Sequence, residues 1–166
     1  MARLLQEVSD AWLSVSATTR APREGEVDGV SYHFMTHEDF MRLADEGGLL
    51  EWAEFAGNCY GTPCSKVQEA VEAGKQVILE IEVQGAFQVR EKMPEAHLVF
   101  IEPPSMEILE QRLRGRGTEA EEAILRRLET AKLELSRKME YDMRLVNDDL
   151  ETAVKELVAY VNSKAE

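Results

Sequence analysis

Short runs of β-branched and aliphatic residues alternate along this chain with longer stretches whose apolar positions recur every three to four residues. That pattern predicts an α/β layer structure with a mainly parallel sheet flanked by helices. Leu4, Leu5 and Val8 share one helical face over residues 2–10, with no capping residue ahead of them. Residues 13–17 predict a strand, 18–31 a polar loop rich in Arg, Pro and Gly, and 32–34 a second short strand. Thr36 and Asp39 stand in capping-box spacing, which predicts a helix to Glu46 closed by Gly47. Residues 49–55 predict a strand bounded by Gly57-Asn58. Thr62-Pro63 then reads as an N-cap followed by Pro at the first helical position, with Gly74 ending that helix.

The centre of the chain carries the pattern of buried parallel strands, at residues 76–81 and 97–101, with a short helix from Gln84-Gly85 between them. Pro103-Pro104 stops the second of these strands, and Ser105 opens a helix to Arg114. Thr118 with Glu121 forms another capping box, predicting a long charged helix to about Tyr141. Residues 144–146 predict a final strand. Asp149 caps an amphipathic C-terminal helix carrying Val154, Leu157, Val158 and Val161.

Charge narrows the partners. Lys plus Arg number 19 against 32 Asp plus Glu, a net charge of −13, and so acidic a surface repels a nucleic-acid backbone. A concentrated Arg pocket for a small anion remains compatible with it. The apolar stretches are too short to span a bilayer, no signal peptide is legible, and two cysteines make no disulfide framework, so the expected setting is a reducing cytoplasm without a membrane.

Candidate chemistry starts after the first strand. Arg20 and Arg23 flank Ala21-Pro22 where α/β folds place ligand loops, and Pro22 restricts the backbone that carries the two guanidinium forks. A phosphate suits such a pair; a solvated surface turn is the competing reading. Glu51, at a strand, offers two acceptors side by side for the adjacent ring N–H and amine of guanine, with the Thr62 hydroxyl available for the carbonyl oxygen. The bland alternative is an exposed strand carboxylate. Glu80 and Glu82 end an apolar strand, where phosphoryl-transfer folds keep an acid for magnesium and its waters. Arg112 and Arg116 lie four residues apart, with Gly115 and Gly117 making Arg116 part of a hinge, and Arg127 follows on the next helix. They can neutralise a migrating phosphoryl group, or simply complement a helix C-terminus. His33, His37, His97 and the two cysteines show no metal-ligand spacing.

In order along the chain, these segments resemble guanylate kinase. The resemblance is carried by Ser16 to Arg23, Gly25 to Gly29, Tyr32, Leu50-Glu51-Trp52-Ala53, and Asn58 with Tyr60-Gly61-Thr62. It continues through Gln84-Gly85, Phe100-Ile101 with Pro103-Pro104-Ser105, Arg112 to Thr118, and Val146 to Leu150. It implies a P-loop-kinase-like α/β fold with an inserted GMP-binding lobe and a helical lid: core 1–17, 75–111 and 142–166, lobe 18–74, lid 112–141. It implies that Ser16, Arg20, Arg23, Tyr32 and Tyr60 hold the GMP phosphate and that Glu51 and Thr62 read the guanine. Glu80 and Glu82 would line the floor between nucleotide and magnesium. Arg112, Arg116 and Arg127 would be lid and transfer-site cations, and Asn147 would lie near the ATP base. GMP and ATP are the implied substrates, with Mg²⁺ carried by ATP, near Glu80, rather than held directly by the protein.

The resemblance also has departures. The family opens with a strand and a Gly-rich loop ending in Gly-Lys-Ser/Thr, whose amides and Lys cradle ATP phosphates; no such run occurs in these 166 residues. The expectation is a chain short by roughly twenty residues relative to the motif order, without the central strand. It would bind GMP but bind MgATP poorly and turn over slowly, and strand exchange between copies would be one way to satisfy unpaired edges. Glu82 stands where the family usually has Asp. Two other readings stay open at this level: a different nucleoside monophosphate kinase, and a non-catalytic module of this family that binds phosphorylated peptide through Arg20, Arg23 and Tyr32.

Overall fold

The computed structural model describes residues 1–115 and 120–164, in two compact units, Met1–Ala96 and His97–Lys164. In the first unit the elements run α1 (Ala2–Glu7), β1 (Ala11–Leu13), β2 (Ala17–Thr18), β3 (His33–Phe34), α2 (His37–Asp45) and β4 (Leu49–Phe55). They continue with β5 (Asn58–Pro63), α3 (Cys64–Glu72), β6 (Gln76–Ile78) and α4 (Val83–Lys92). The second unit holds β7 (Val99–Glu102), α5 (Met106–Gly115), α6 (Glu121–Ser136), a 3₁₀ turn at Lys138–Glu140, β8 (Met143–Val146) and α7 (Leu150–Asn162).

The expected α/β character holds, but the strands are arranged differently from a single parallel sheet. Among the described residues, parallel pairing occurs in two two-stranded pairs, β1 with β6 and β7 with β8. The largest sheet is four-stranded, ordered β3-β2-β5-β4, and only its β2–β3 pairing is parallel. The strand expected over 13–17 is split by this arrangement. Ala11–Leu13 pairs with β6, residues 14–16 cross over, and Ala17–Thr18 inserts between β3 and β5. The run 76–81 is correspondingly strand only at Gln76–Ile78, because a strand lasts only as long as its partner and β1 offers three residues.

A second correction concerns residues 58–63, which form a strand and not a turn leading into a helix cap. β4 and β5 are a hairpin closed by the two-residue loop Ala56-Gly57, both at positive φ (50° and 76°), as the tightest right-twisting hairpin turns require. Thr62 is therefore a strand residue and Pro63 the N-cap of α3, with no side-chain cap bond. Gly61 makes the close pairing feasible: a Cβ there would come within 2.8 Å of the Glu51 carbonyl and the Trp52 Cβ.

Other local signals hold. Thr36 caps α2 by accepting from the Asp39 N–H, and Asp149 caps α7 by accepting from Thr152. The Ser105 hydroxyl accepts from Ile108 at the start of α5. Thr118 lies outside the described residues; α6 has Ala120 as its N-cap and ends at Ser136, short of Tyr141. The first unit buries two clusters. One is Ala17, Phe40, Leu49 and Cys59, joined by Trp52, and the other is Leu50, Val67 and Val89, joined by Trp12, Val77 and Leu79. In the second unit Leu113, Ile124 and Leu128 zip α5 to α6.

Candidate active site

Two groups of polar residues meet on the four-stranded sheet and the segments leaving it. The first surrounds Arg20. Thr18, fully buried, donates to the Cys59 carbonyl and accepts from the Arg20 N–H, while Thr19 accepts from the Cys59 N–H, so the chain is pinned to β5 as it leaves β2. Arg20 then donates to the Glu26 carboxylate (2.9 Å) and to the Ala21 carbonyl (2.8 Å). Its guanidinium lies 5.4 Å from the Tyr32 ring centre and 5.9 Å from that of Phe34, close enough for cation–π attraction. Tyr60 packs edge-on to Tyr32 at 6.1 Å. The bond to Glu26 holds the Arg20 guanidinium above its usual range and the Glu26 carboxyl below its own. The other Glu26 oxygen accepts the Arg23 N–H (2.7 Å), whereas the Arg23 residue itself is exposed.

The second group is buried. Glu51 is only 4% exposed, which removes the exposed-strand reading of this carboxylate. Its burial follows from a bulge: Leu49 pairs with Pro63 and Glu51 with Thr62, leaving Leu50 as an extra residue. Strict alternation is broken there. Leu50 packs against Val89 of α4, and the next residue, Glu51, also meets α4, at Gly85. The Thr62 hydroxyl donates to Glu51 Oε1 at 2.6 Å. Burial pushes the Glu51 carboxyl above the ordinary range; the neighbouring Glu82 charge adds to this, and the Thr62 hydrogen bond opposes it. Because Tyr60 and Thr62 are two apart on β5 and Glu51 lies directly across from Thr62, all three share one face of the hairpin.

Glu82 is the N-cap of α4, its two oxygens accepting from Gln84 (2.8 Å) and Gly85 (2.6 Å), and its carboxylate is thereby oriented. Glu80 is exposed between β6 and α4. Ser16 lies in the crossover, where its carbonyl accepts from His33. In the second unit, Arg112 donates to the Asn147 carbonyl at 2.8 Å, joining two of the expected nucleotide-side residues. Arg127 is on the exposed side of α6, and Arg116 lies outside the described residues. No group of three or more His, Cys, Asp or Glu among the described residues is arranged to hold a metal ion.

Sequence reasoning missed several residues of these clusters. Glu26 lies within the Gly25–Gly29 motif, where its sequence position alone does not reveal that it organises both the Arg20 side chain and the Arg23 backbone. Gln88 clamps Trp52 at both its backbone groups, accepting from the N–H at 3.2 Å and donating to the carbonyl at 2.8 Å. Its helical spacing from Gly85 was the only signal available, and nothing in that spacing names the strand it meets.

The profile of the family described as guanylate kinase matches residues 2–164. A guanylate kinase from Synechococcus sp. (strain CC9311) is 59% identical over 98% of this chain and 85% of its own length. One from Streptomyces coelicolor is 55% identical over 98% of this chain and 82% of its own. The crystal structure of guanylate kinase from Anaplasma phagocytophilum superposes with a TM-score of 0.80 at 34% identity, covering 99% of this chain and 81% of that one. A family match over residues 2–164, a range that includes the clusters around Arg20 and Glu51, establishes that this chain belongs to the guanylate kinase family.

Proposed function

We propose that GMP lies along the Tyr60–Thr62–Glu51 face of the hairpin, and that the chain transfers the terminal phosphoryl of ATP to it, giving ADP and GDP. The observation that carries this reading is the placement of a buried carboxylate–hydroxyl pair on one sheet and a ring-stacked, tethered arginine on the segment leaving it. Arg20, Arg23, Tyr32, Tyr60 and Ser16 take the phosphate. Glu26 uses only part of the five-donor Arg20 fork, so further N–H groups are available to an anion. Ionised Glu51 accepts the ring N–H and amine of guanine. The one Thr62 proton points at Glu51, so Thr62 orients that carboxylate and reaches a purine oxygen only by rotating.

In the transfer, a GMP phosphate oxygen bonds to the γ-phosphorus as the bridge to ADP breaks, and Arg112, Arg116 and Arg127 balance the charge that builds up. Asn147 serves the ATP base. Mg²⁺ arrives with ATP as part of the substrate, near Glu80. The division into core, GMP lobe (18–74) and lid (112–141) belongs to the same proposal. Two free thiols, Cys59 and Cys64, suit a reducing cytoplasm. The 166 residues hold no Gly-Lys-Ser/Thr run, and we propose that on their own they bind MgATP weakly. The test is a GMP titration with AMP as the comparison, run beside an ATP-coupled assay of GDP formation. Saturable binding of GMP with little affinity for AMP is expected. Equal affinity for the two purines overturns the reading.

A further inference from the structure

Helix α4 meets β4 through three residues that the reaction itself does not use: Gly85, Gln88 and Lys92. Spaced i, i+3 and i+7, they share one helical face. β4 is an outer strand of its sheet, so the backbone groups that point away from β5 need partners from elsewhere. Gln88 supplies two of them, pairing with both the N–H and the carbonyl of Trp52, and Lys92 Nζ donates to the Leu49 carbonyl at 3.1 Å. At the other end of the same face, the Glu51 carboxylate lies so close to Gly85 that a Cβ added there would clash with Oε2. The obstructed atom is the far end of a flexible side chain. An added methyl therefore moves the carboxylate before it moves the backbone.

We infer that the Gly85–Gln88–Lys92 face of α4 is a positioning element that sets the Glu51 carboxylate for purine discrimination. Gly85 leaves the space the carboxylate occupies, and Gln88 and Lys92 hold the strand on either side of it. The inference rests on the reading of Glu51 as the group that recognises the guanine edge. It assigns Gln88 and Lys92 no contact with nucleotide.

The test compares equilibrium titrations of GMP and of inosine monophosphate, which lacks the exocyclic amine, for the unaltered chain and for Gly85→Ala, Gln88→Met and Glu51→Gln. Glu51→Gln is expected to cut the GMP preference about tenfold, the scale of one hydrogen bond weakened by the loss of its charge. Gly85→Ala is expected to cut it about fivefold while keeping the helical circular dichroism, since alanine favours a helix over glycine. Gln88→Met, similar in shape but unable to pair with Trp52, is expected to cut it two- to threefold, a partial loss of positioning. A merely structural role weakens both nucleotides by the same factor. Equal losses in Gly85→Ala and Gln88→Met, or an unfolded state in both, overturn the inference. If Glu51→Gln itself leaves the preference intact, the guanine reading fails and this inference with it. If Glu51→Gln abolishes the preference but Gly85→Ala does not, only the positioning role is lost.

Discussion

Glu26 and Glu51 are chemically the same group placed in opposite surroundings. Glu26, in the loop after β2, faces the Arg20 guanidinium and the Arg23 N–H, and its carboxyl is held below the ordinary value of 4.5. Glu51, on β4, faces a hydroxyl, a helix and another carboxylate, and burial lifts it above 4.5. Near the surface the full cation decides the protonation state; under the helix, lost hydration does. The phosphate side is thus built from charge that stays in place over a wide pH range. The purine side is a buried carboxyl whose charged form burial disfavours, which is how a site can gain selectivity without gaining stability.

Breaking the phosphate side should have the largest effect. Arg20→Ala is expected to weaken GMP about a hundredfold, the scale of two charge-assisted hydrogen bonds. Guanosine, which has no phosphate, should bind the variant and the unaltered chain alike in the same titration; an equal loss for guanosine means that Arg20 supports the fold and not the anion. Glu51→Gln comes next. Alongside its loss of purine preference, the melting temperature at pH 7 should hold or rise, because a buried charge has been removed while Thr62 keeps an acceptor.

The pH dependence sharpens the contrast. Glu51 is raised, so its contribution to stability is fully present below 4.5 and is lost as pH rises through its folded value. GMP affinity runs the other way, falling as pH drops from neutral toward the raised value and one acceptor oxygen takes up a proton. Glu26 is lowered, so its contribution is present above 4.5 and lost only as pH falls through its folded value. The ratio of GMP to inosine monophosphate affinity, in which the titration of the ligand phosphate at about pH 6 cancels, should therefore decline as pH falls from neutral, a decline that Glu51→Gln flattens and Glu26→Gln leaves unchanged. The smallest effect expected is that of Glu26→Gln at pH 7, a two- to fivefold weaker GMP affinity, as suits a partly exposed ion pair. A gain in affinity would mean that Glu26 competes with the phosphate and does not orient Arg20.

Local chemistry made much of this molecule legible. The Thr36 and Asp149 caps and the β4 strand follow from short-range patterns, and they are readable because their physics is complete within a few residues. The candidate residues were also readable as types: paired arginines for an anion, a carboxylate for a purine edge. Segment 58–63 was not, because Gly61 and Thr62-Pro63 carry turn and cap chemistry, and only the fit of Gly61 against β4 makes them a strand. The Glu26 tether is not legible in the sequence for a related reason. Six residues separate it from Arg20, and a loop must fold back for them to meet.

The amino-acid order alone determined the alternation of strands and helices, most caps, the acidic surface, and the set of side chains able to grip a phosphate and a purine. Tertiary structure alone decided which strands pair, that a bulge turns both Leu50 and Glu51 toward α4, that Gly85 leaves the space in which the carboxylate sits, and that Gln88 pairs with the Trp52 backbone beside it. Propensity and periodicity act over one or two turns of chain, whereas burial, desolvation and steric fit depend on neighbours brought together from distant parts of the sequence.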